Sequence, residues 1–136
     1  MIGGMKRALE SALPGAALRA RKRAYAPYSR FKVGAAVLAD GQVFSGCNVE
    51  NASYGLAICA ERSAIVQAVA AGKRRVEAVA IATGTSPPTP PCGMCLQTFA
   101  EFGRWDMAVV LCGARGERVR TTLRALLPHG FSRKYL

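Results

Sequence analysis

CAERSAIVQAVAAGKRRVEAVAIAT, residues 59–83, predicts a helix followed by a buried strand. The first part, residues 59–71, is rich in alanine and other residues that pack well in helices, and Gly72 supplies a helix stop. The last part, residues 76–83, is mostly apolar and of strand length, which predicts a buried strand. A helix that leads into a buried strand is typical of layered α/β proteins.

Further elements are predicted on both sides of this stretch. Residues 33–38 and 42–44 flank the turn dipeptide Asp40-Gly41, which is the pattern of a β-hairpin. We also expect a helix over 14–24 that begins at Pro14, a helix over 93–102, a strand over 107–112 and a short helix over 123–127 capped by Thr121 or Thr122. Residues 1–13 contain two adjacent glycines and are expected to form a loose or partly helical extension.

The order of these elements is helix, two strands, helix, strand, helix, strand and short helix. Strands that alternate with helices predict an α/β domain with a partly parallel sheet, and the hairpin makes that sheet mixed. The chain has 136 residues, which suits one domain over 1–136. No apolar run approaches the length of a membrane span, and the N-terminus lacks the pattern of a signal peptide, so we expect a cytoplasmic protein.

The formal net charge of +11 suggests a nucleic-acid partner, but the 19 basic residues are spread along the chain in short clusters. We therefore read the charge as solvated surface and do not expect nucleic-acid binding. Five cysteines in a cytosolic chain are expected to be metal ligands or buried thiols, because disulfides are rare in that compartment.

Three of these cysteines lie in two segments, Cys59-Ala60-Glu61-Arg62 and Pro91-Cys92-Gly93-Met94-Cys95, each at the start of a predicted helix. A C-x-x-C pair there points two thiolates at one ion within a single turn, and the helix dipole favours the thiolate form. With Cys59 as a third ligand, zinc keeps its fourth position for water. The C-x-x-C pair by itself also fits a redox pair or half of a structural zinc site.

Glu61 lies two residues after Cys59, where its carboxylate can reach a metal-bound water without binding the metal. A ligand followed two residues later by glutamate, and then P-C-x-x-C, is the signature of zinc deaminases that act on nucleobases. Arg62 is the candidate for offsetting the negative charge of three thiolates, because its planar guanidinium can hydrogen-bond two sulfurs at once.

Three collinear blocks resemble the small homotetrameric cytidine deaminases: AYAPYSRFKVGAAVL, SGCNVENASYGLAICAERSAI and PCGMCLQTFAEFG. The resemblance implies a three-layer α/β/α domain with a mixed, five-stranded sheet. It also implies hydrolytic deamination of cytidine and 2′-deoxycytidine in pyrimidine salvage, with one zinc ion per chain. Leu96 departs from the pattern, because that family usually has arginine directly after the last cysteine of C-x-x-C.

The resemblance implies a role for each matched site residue. Cys59, Cys92 and Cys95 would hold zinc, and Glu61 would carry protons. The substrate-binding residues would be Phe31 on the ring, Asn48 and Glu50 on the ribose, the backbone of Ala60 on the base, and Tyr54 and Phe131 from neighbouring subunits.

Three alternatives to a cytidine deaminase stay open. The substrate could be another cytosine-bearing nucleoside, although Asn48 and Glu50 suit a sugar diol. A polynucleotide deaminase would agree with the positive charge, but no basic and aromatic residues alternate along the chain. A zinc-stabilised structural protein would leave Glu61 without a function.

Overall fold

The computed structural model describes residues 3–136 as five strands and four α-helices. The strands form one sheet in the order β2-β1-β3-β4-β5. Along the chain the elements are α1 (Gly3–Arg21), β1 (Gly34–Ala39), β2 (Gln42–Cys47), α2 (Ala60–Ala70), β3 (Val76–Ala82), α3 (Gly93–Phe102), β4 (Gly103–Cys112), β5 (Arg118–Thr122) and α4 (Leu123–Leu126). Among these residues no helix combines the length and the hydrophobicity that crossing a bilayer requires.

The predicted hairpin forms between β1 and β2, which pair antiparallel with Ala39 opposite Gln42. Its turn residues Asp40 and Gly41 have φ angles of 46° and 79°, the left-handed values of a tight hairpin turn. The Asp40 carboxylate accepts hydrogen bonds from the backbone N–H groups of Arg74 and Arg75, so the turn also fixes the chain between α2 and β3.

The sheet is mixed because one of its four pairings is parallel. β3 and β4 run parallel and are joined through α3, whereas β1 pairs antiparallel with both β2 and β3, and β4 with β5. The carboxyl end of β3 therefore leads into the loop before α3. Ligands of open α/β sheets commonly bind beyond the carboxyl ends of parallel strands.

Helices cover both faces of the sheet, which confirms the three-layer α/β/α architecture. On one face Leu13 and Ala17 of α1 pack against Leu38 and Ala80. On the other face α2, α3 and α4 bury a larger cluster that contains Phe99, the largest fully buried side chain. Gly34 permits the contact between β1 and α1, because a Cβ atom there would lie 2.0 Å from the backbone oxygen of Ala17.

The prediction that the first helix begins at Pro14 was wrong. α1 begins at Gly3, with Pro14 inside it, and buries Leu13 and Ala17 at helical spacing. This packing outweighs the low helix propensity of the glycines, so the described part of the predicted loose extension, residues 3–13, is helical. Positions 1–2 of that extension lie outside the described residues.

Three strand assignments also change. β2 runs to Cys47, three positions beyond the predicted end at residue 44. β4 begins at Gly103, four positions before the predicted start, and includes the polar segment around Arg104 and Asp106. β5 was not predicted from the residue pattern, because RVRTT is polar and mostly exposed and lies at one edge of the sheet. The remaining helices and strands lie where the pattern predicted them, and Thr122 caps α4 by accepting a hydrogen bond from Ala125 N–H.

Candidate active site

The N-termini of α2 and α3 bring three cysteines together. Cys59 is the N-cap residue of α2, Cys92 is the N-cap residue of α3, and Cys95 lies one turn further along α3. The Cys59 and Cys92 sulfurs are 4.0 Å apart, and those of Cys92 and Cys95 are 3.6 Å apart. All three sulfurs lie within 4.8 Å of one another.

The local backbone explains why these side chains are free to converge. Cys59 and Cys92 both have extended φ and ψ angles, and neither uses its side chain to cap its helix. Their carbonyls instead accept the first helical hydrogen bonds, from the N–H groups of Ser63 and Leu96. Each thiol thus lies at the positive end of a helix dipole, where a thiolate is favoured.

The sulfur separations fit a zinc ion. Tetrahedral zinc with Zn–S bonds of about 2.3 Å needs sulfurs about 3.8 Å apart, and the two measured separations lie on either side of that value. Arg62 Nε, which is buried and has no partner among the described residues, would gain nearby negative charge when the thiols ionise. Cys59, Cys92 and Cys95 would hold the metal and leave one position for a water molecule.

Cys59 and Cys95 differ in pKa because one donates a hydrogen bond to the other. A hydrogen bond from the Cys95 thiol, followed by those from Arg62 and Cys92, lowers the pKa of Cys59 to about 5 against the effect of burial. The same hydrogen bond raises the pKa of Cys95, because Cys95 is its donor. Cys59 is therefore the first of the pair to ionise, and metal binding has to displace the proton from Cys95.

Glu61 lies in the first turn of α2 and is only 5% exposed. Burial raises the pKa of its carboxyl, and the nearby negative charge of Cys59 acts in the same direction. A buried carboxyl with a raised pKa, two residues from a metal ligand, is suited to exchanging protons near neutral pH.

A cavity of about 230 Å³ lies in front of Glu61 and two of the cysteines. Three more of the residues predicted to bind substrate line it: Phe31, Asn48 and Ala60. Its lining is Phe31, Val33, Asn48, Cys59, Ala60, Glu61, Ile81, Thr83, Thr89, Pro90, Pro91 and Cys92. The metal ligands and the acid–base candidate thus face the same enclosed space.

Asn48 and Glu50 are held in place by backbone groups. Asn48 Oδ1 accepts a hydrogen bond from Val33 N–H at 2.8 Å, and its Nδ2 donates to the Phe31 carbonyl at 2.8 Å. Glu50 accepts hydrogen bonds from the Ser29 hydroxyl and from two backbone N–H groups, those of Tyr28 and Ser29. The Ser29 hydroxyl has the largest effect in lowering the pKa of Glu50, so the carboxylate stays charged.

Not every predicted residue lines the cavity in one chain. Glu50 and Tyr54 line a neighbouring depression of about 340 Å³, where the Tyr54 ring meets Tyr28 edge-on with the ring centroids 6.0 Å apart. Phe131 lies beyond α3, where its carbonyl accepts a hydrogen bond from Gln97 at 2.9 Å and its ring stacks on Tyr135.

The Arg62 side chain contacts the cysteine cluster at Cys59. Its Nη2 donates to the Ala57 carbonyl at 3.3 Å and lies 3.9 Å from the Cys59 sulfur. Leu96, which follows the last cysteine, is 7% exposed and packs in the apolar core on the α2–α3 face of the sheet. The departure at Leu96 therefore places an apolar side chain in the core directly beside the cysteine cluster.

Part of the cavity lining comes from the end of β3 and the loop before α3, which the sequence did not predict as part of the site. Thr83, Thr89, Pro90 and Pro91 line the cavity, although the sequence pattern assigns none of them a functional role. The one available signal was the position of Thr83, a polar residue directly after a buried strand. Ligand-binding groups often occupy that position in α/β folds.

Comparison with known proteins agrees with this geometry. Residues 8–112 match the model of the cytidine and deoxycytidylate deaminase zinc-binding region. The chain belongs to this family. A cytidine deaminase from Sporosarcina psychrophila is 46% identical over 87% of this chain and 88% of the relative, and one from Halalkalibacterium halodurans is 49% identical over 85% and 89%.

Solved structures of this deaminase family have the same fold. The 1.6 Å crystal structure of cytidine deaminase from Burkholderia pseudomallei is 51% identical and has a TM-score of 0.84, covering 89% of this chain and 98% of that one. Cytidine deaminase from Mycobacterium tuberculosis is 39% identical with a TM-score of 0.78, covering 90% and 96%. The zinc-binding region of the family model includes all three clustered cysteines.

We predict that Cys92→Ser lowers the zinc content of the purified protein well below one ion per chain, because a serine hydroxyl is a poor replacement for a thiolate. Zinc would be measured by elemental analysis after dialysis against a weak chelator. Cys47→Ser is the matched control, since Cys47 is a free thiol in β2 outside the cluster. Equal zinc loss in both variants would contradict the assignment.

Proposed function

We propose that this protein hydrolyses cytidine and 2′-deoxycytidine to uridine and 2′-deoxyuridine and releases ammonia. The observation that carries the proposal is the buried Glu61 carboxyl beside a cluster of three thiols, facing one cavity. The relatives named cytidine deaminase, similar over most of their own length, support the same substrate.

Bound zinc would supply the Lewis acidity that makes water a nucleophile at neutral pH. Glu61 then moves the protons. Its carboxylate accepts one proton from the attacking water and delivers it to N3 of the ring. It then transfers the second proton of that water oxygen, now bonded to C4, to the departing amino group, so that C4 becomes a carbonyl and ammonia leaves. One carboxylate serves both steps because it is regenerated in each cycle, and the raised pKa of Glu61 suits it to giving the proton back.

The substrate would be oriented by groups that the fold has already fixed. Phe31 lines the cavity and offers a ring face to the pyrimidine, and the backbone N–H of Ala60 would read the base. Asn48 and Glu50 would hold the ribose hydroxyls. The hydrogen bonds that fix Asn48 to the Phe31 and Val33 backbone support this role, since they couple the sugar-binding side chain to the ring-binding segment.

Arg62 would offset the charge of the metal cluster. Three thiolates on a divalent cation leave one net negative charge, which weakens the metal as a Lewis acid. The Arg62 guanidinium lies 3.9 Å from the Cys59 sulfur, and against the effect of burial its hydrogen bond to Cys59 raises the pKa of Arg62. A hydrogen-bonded cation on the ligand sulfur withdraws charge from it and restores part of that acidity.

We also propose that the protein works as a homotetramer. Tyr54 is 76% exposed and Phe131 is 55% exposed, which is high for large aromatic side chains. Aromatic residues are enriched at protein interfaces. In a tetramer, Tyr54 and Phe131 of neighbouring chains would complete each site.

The setting we propose is pyrimidine salvage in the cytoplasm, because thiolate ligands stay reduced there. The substrates are free nucleosides and not nucleic acids. A cavity of about 230 Å³ suits one small molecule.

We expect the zinc-loaded protein to release ammonia from cytidine and Glu61→Gln to lower kcat by about 10² to 10⁴. Glutamine keeps the shape of the side chain but cannot carry the proton. Ammonia release and zinc content would be measured on the same samples, so that loss of the metal is separated from loss of proton transfer. A folded, zinc-loaded wild type that leaves cytidine intact would refute the proposed activity.

Glu50→Gln is expected to lower kcat/KM for cytidine by about 10- to 100-fold, because a charged hydrogen bond to a sugar hydroxyl becomes a neutral one. Steady-state kinetics would measure it, with melting temperatures to check the fold. Glu77→Gln is the control, since Glu77 lies near the start of β3 and pairs with Lys6. An unchanged kcat/KM in Glu50→Gln would remove Glu50 from the sugar site.

The tetramer predicts a solution mass four times the chain mass of 14.4 kDa. Light scattering coupled to size-exclusion chromatography measures it directly. We further expect Tyr54→Ala to reduce turnover at unchanged zinc content, because the ring would be missing from the neighbouring site. A fully active monomer would contradict both statements.

A further inference from the structure

Thr83 stands out among the residues that the proposed mechanism does not use. Glu61 and Thr83 are the two buried polar residues of the described chain, at 5% and 3% exposure, and both line the same cavity. Buried polar groups have to be hydrogen-bonded or they destabilise the fold. The partners of Thr83 therefore indicate how its hydroxyl is oriented.

Three threonine hydroxyls form a chain at the cavity wall. Thr83 Oγ1 lies 3.1 Å from Thr85 Oγ1, which in turn lies 2.8 Å from Thr89 Oγ1. The Thr89 backbone N–H also donates to Thr83 Oγ1 at 3.2 Å. Both ends of the chain, Thr83 and Thr89, line the cavity.

The chain of three threonine hydroxyls has one O–H proton more than its internal hydrogen bonds use. Three hydroxyls carry three protons, and the two hydroxyl–hydroxyl bonds use two of them. The third proton has no acceptor among the described residues. A chain in which each hydroxyl both accepts and donates is strengthened by polarisation, so the spare proton belongs at an end and not on Thr85.

Thr83 is the better placed of the two ends. When the chain runs from Thr89 through Thr85, the Thr83 oxygen accepts from the Thr85 hydroxyl and from the Thr89 N–H. Both acceptor positions of that oxygen are then filled, and its own O–H can only donate. Thr83 directly follows β3, and the hydrogen bond from its backbone N–H to the Cys112 carbonyl fixes the backbone at this position.

We infer that Thr83 is a substrate-contacting residue whose hydroxyl donates a hydrogen bond to an acceptor atom of the bound pyrimidine nucleoside. This inference rests on the proposed function. The Thr85 hydroxyl and the Thr89 amide are positioning groups that direct the Thr83 proton into the cavity. Thr83 would thus contribute to selectivity for ligands that carry an acceptor at that point.

The test compares three variants by steady-state kinetics with cytidine. Thr83→Val keeps the shape of the side chain but removes the hydroxyl, and we expect KM to rise about three- to tenfold with kcat nearly unchanged. Thr83→Ser keeps the hydroxyl and should restore a KM close to that of the wild type. Thr121→Val is the matched control, because Thr121 lies in β5, outside both the cavity lining and the threonine hydroxyl chain, and the same substitution there should change KM less than about twofold.

Zinc content and melting temperature are measured on every variant, so that damage to the loop before Cys92 is detected separately. An unchanged KM in zinc-loaded Thr83→Val would overturn the inference. An equal KM increase in Thr121→Val would also overturn it, since the effect would then not depend on a hydroxyl in the cavity wall. A wild type without cytidine turnover would refute the proposed function, and the inference with it, whereas the variant comparison tests Thr83 alone.

Discussion

The site depends on the meeting of two helix N-termini at one end of the sheet. Cys59 and Cys92 are 33 positions apart, yet their sulfurs lie 4.0 Å apart because each occupies the N-cap of a helix packed on the same face. Both helix dipoles favour negative charge at that point. The hydrogen bonds from Cys95, Arg62 and Cys92 lower the pKa of Cys59, which favours its thiolate form. The placement of Glu61, one position inside α2, follows from the same constraint.

The cysteine cluster has a cationic side chain beside Cys59 and an apolar side chain beside Cys95. Arg62 lies beside the Cys59 sulfur, whereas Leu96 buries its side chain in the core next to Cys95. An arginine at position 96 would add a second cation near the ligands, which this chain lacks there. In the proposed zinc site, the charge of three thiolates would therefore be offset mainly from the α2 side, by Arg62.

Much of the fold could be predicted from local patterns, and the errors have physical causes. The hairpin, α2 and α3 follow from turn residues, helix stops and apolar runs that act within a few positions. The predicted start of the first helix, at Pro14, is too late, because the adjacent glycines at positions 3 and 4 hide a helix that buries Leu13 and Ala17 against the sheet. β5 was missed because an exposed edge strand has no apolar alternation, and its register is set by β4.

The sequence by itself determined the local placement of Cys59 with Glu61 and of Cys92 with Cys95, because C-A-E and P-C-G-M-C each lie within about one helical turn. Tertiary packing of α2 and α3 then brought the two pairs together. Tertiary structure alone decided which groups face them. Asn48 is tied to the Phe31 and Val33 backbone, Glu50 to the turn at Ser29, and Thr83 to Thr89 across the proline-rich loop. These contacts join loops whose paths depend on sheet register and packing, and no spacing along the chain encodes such distances.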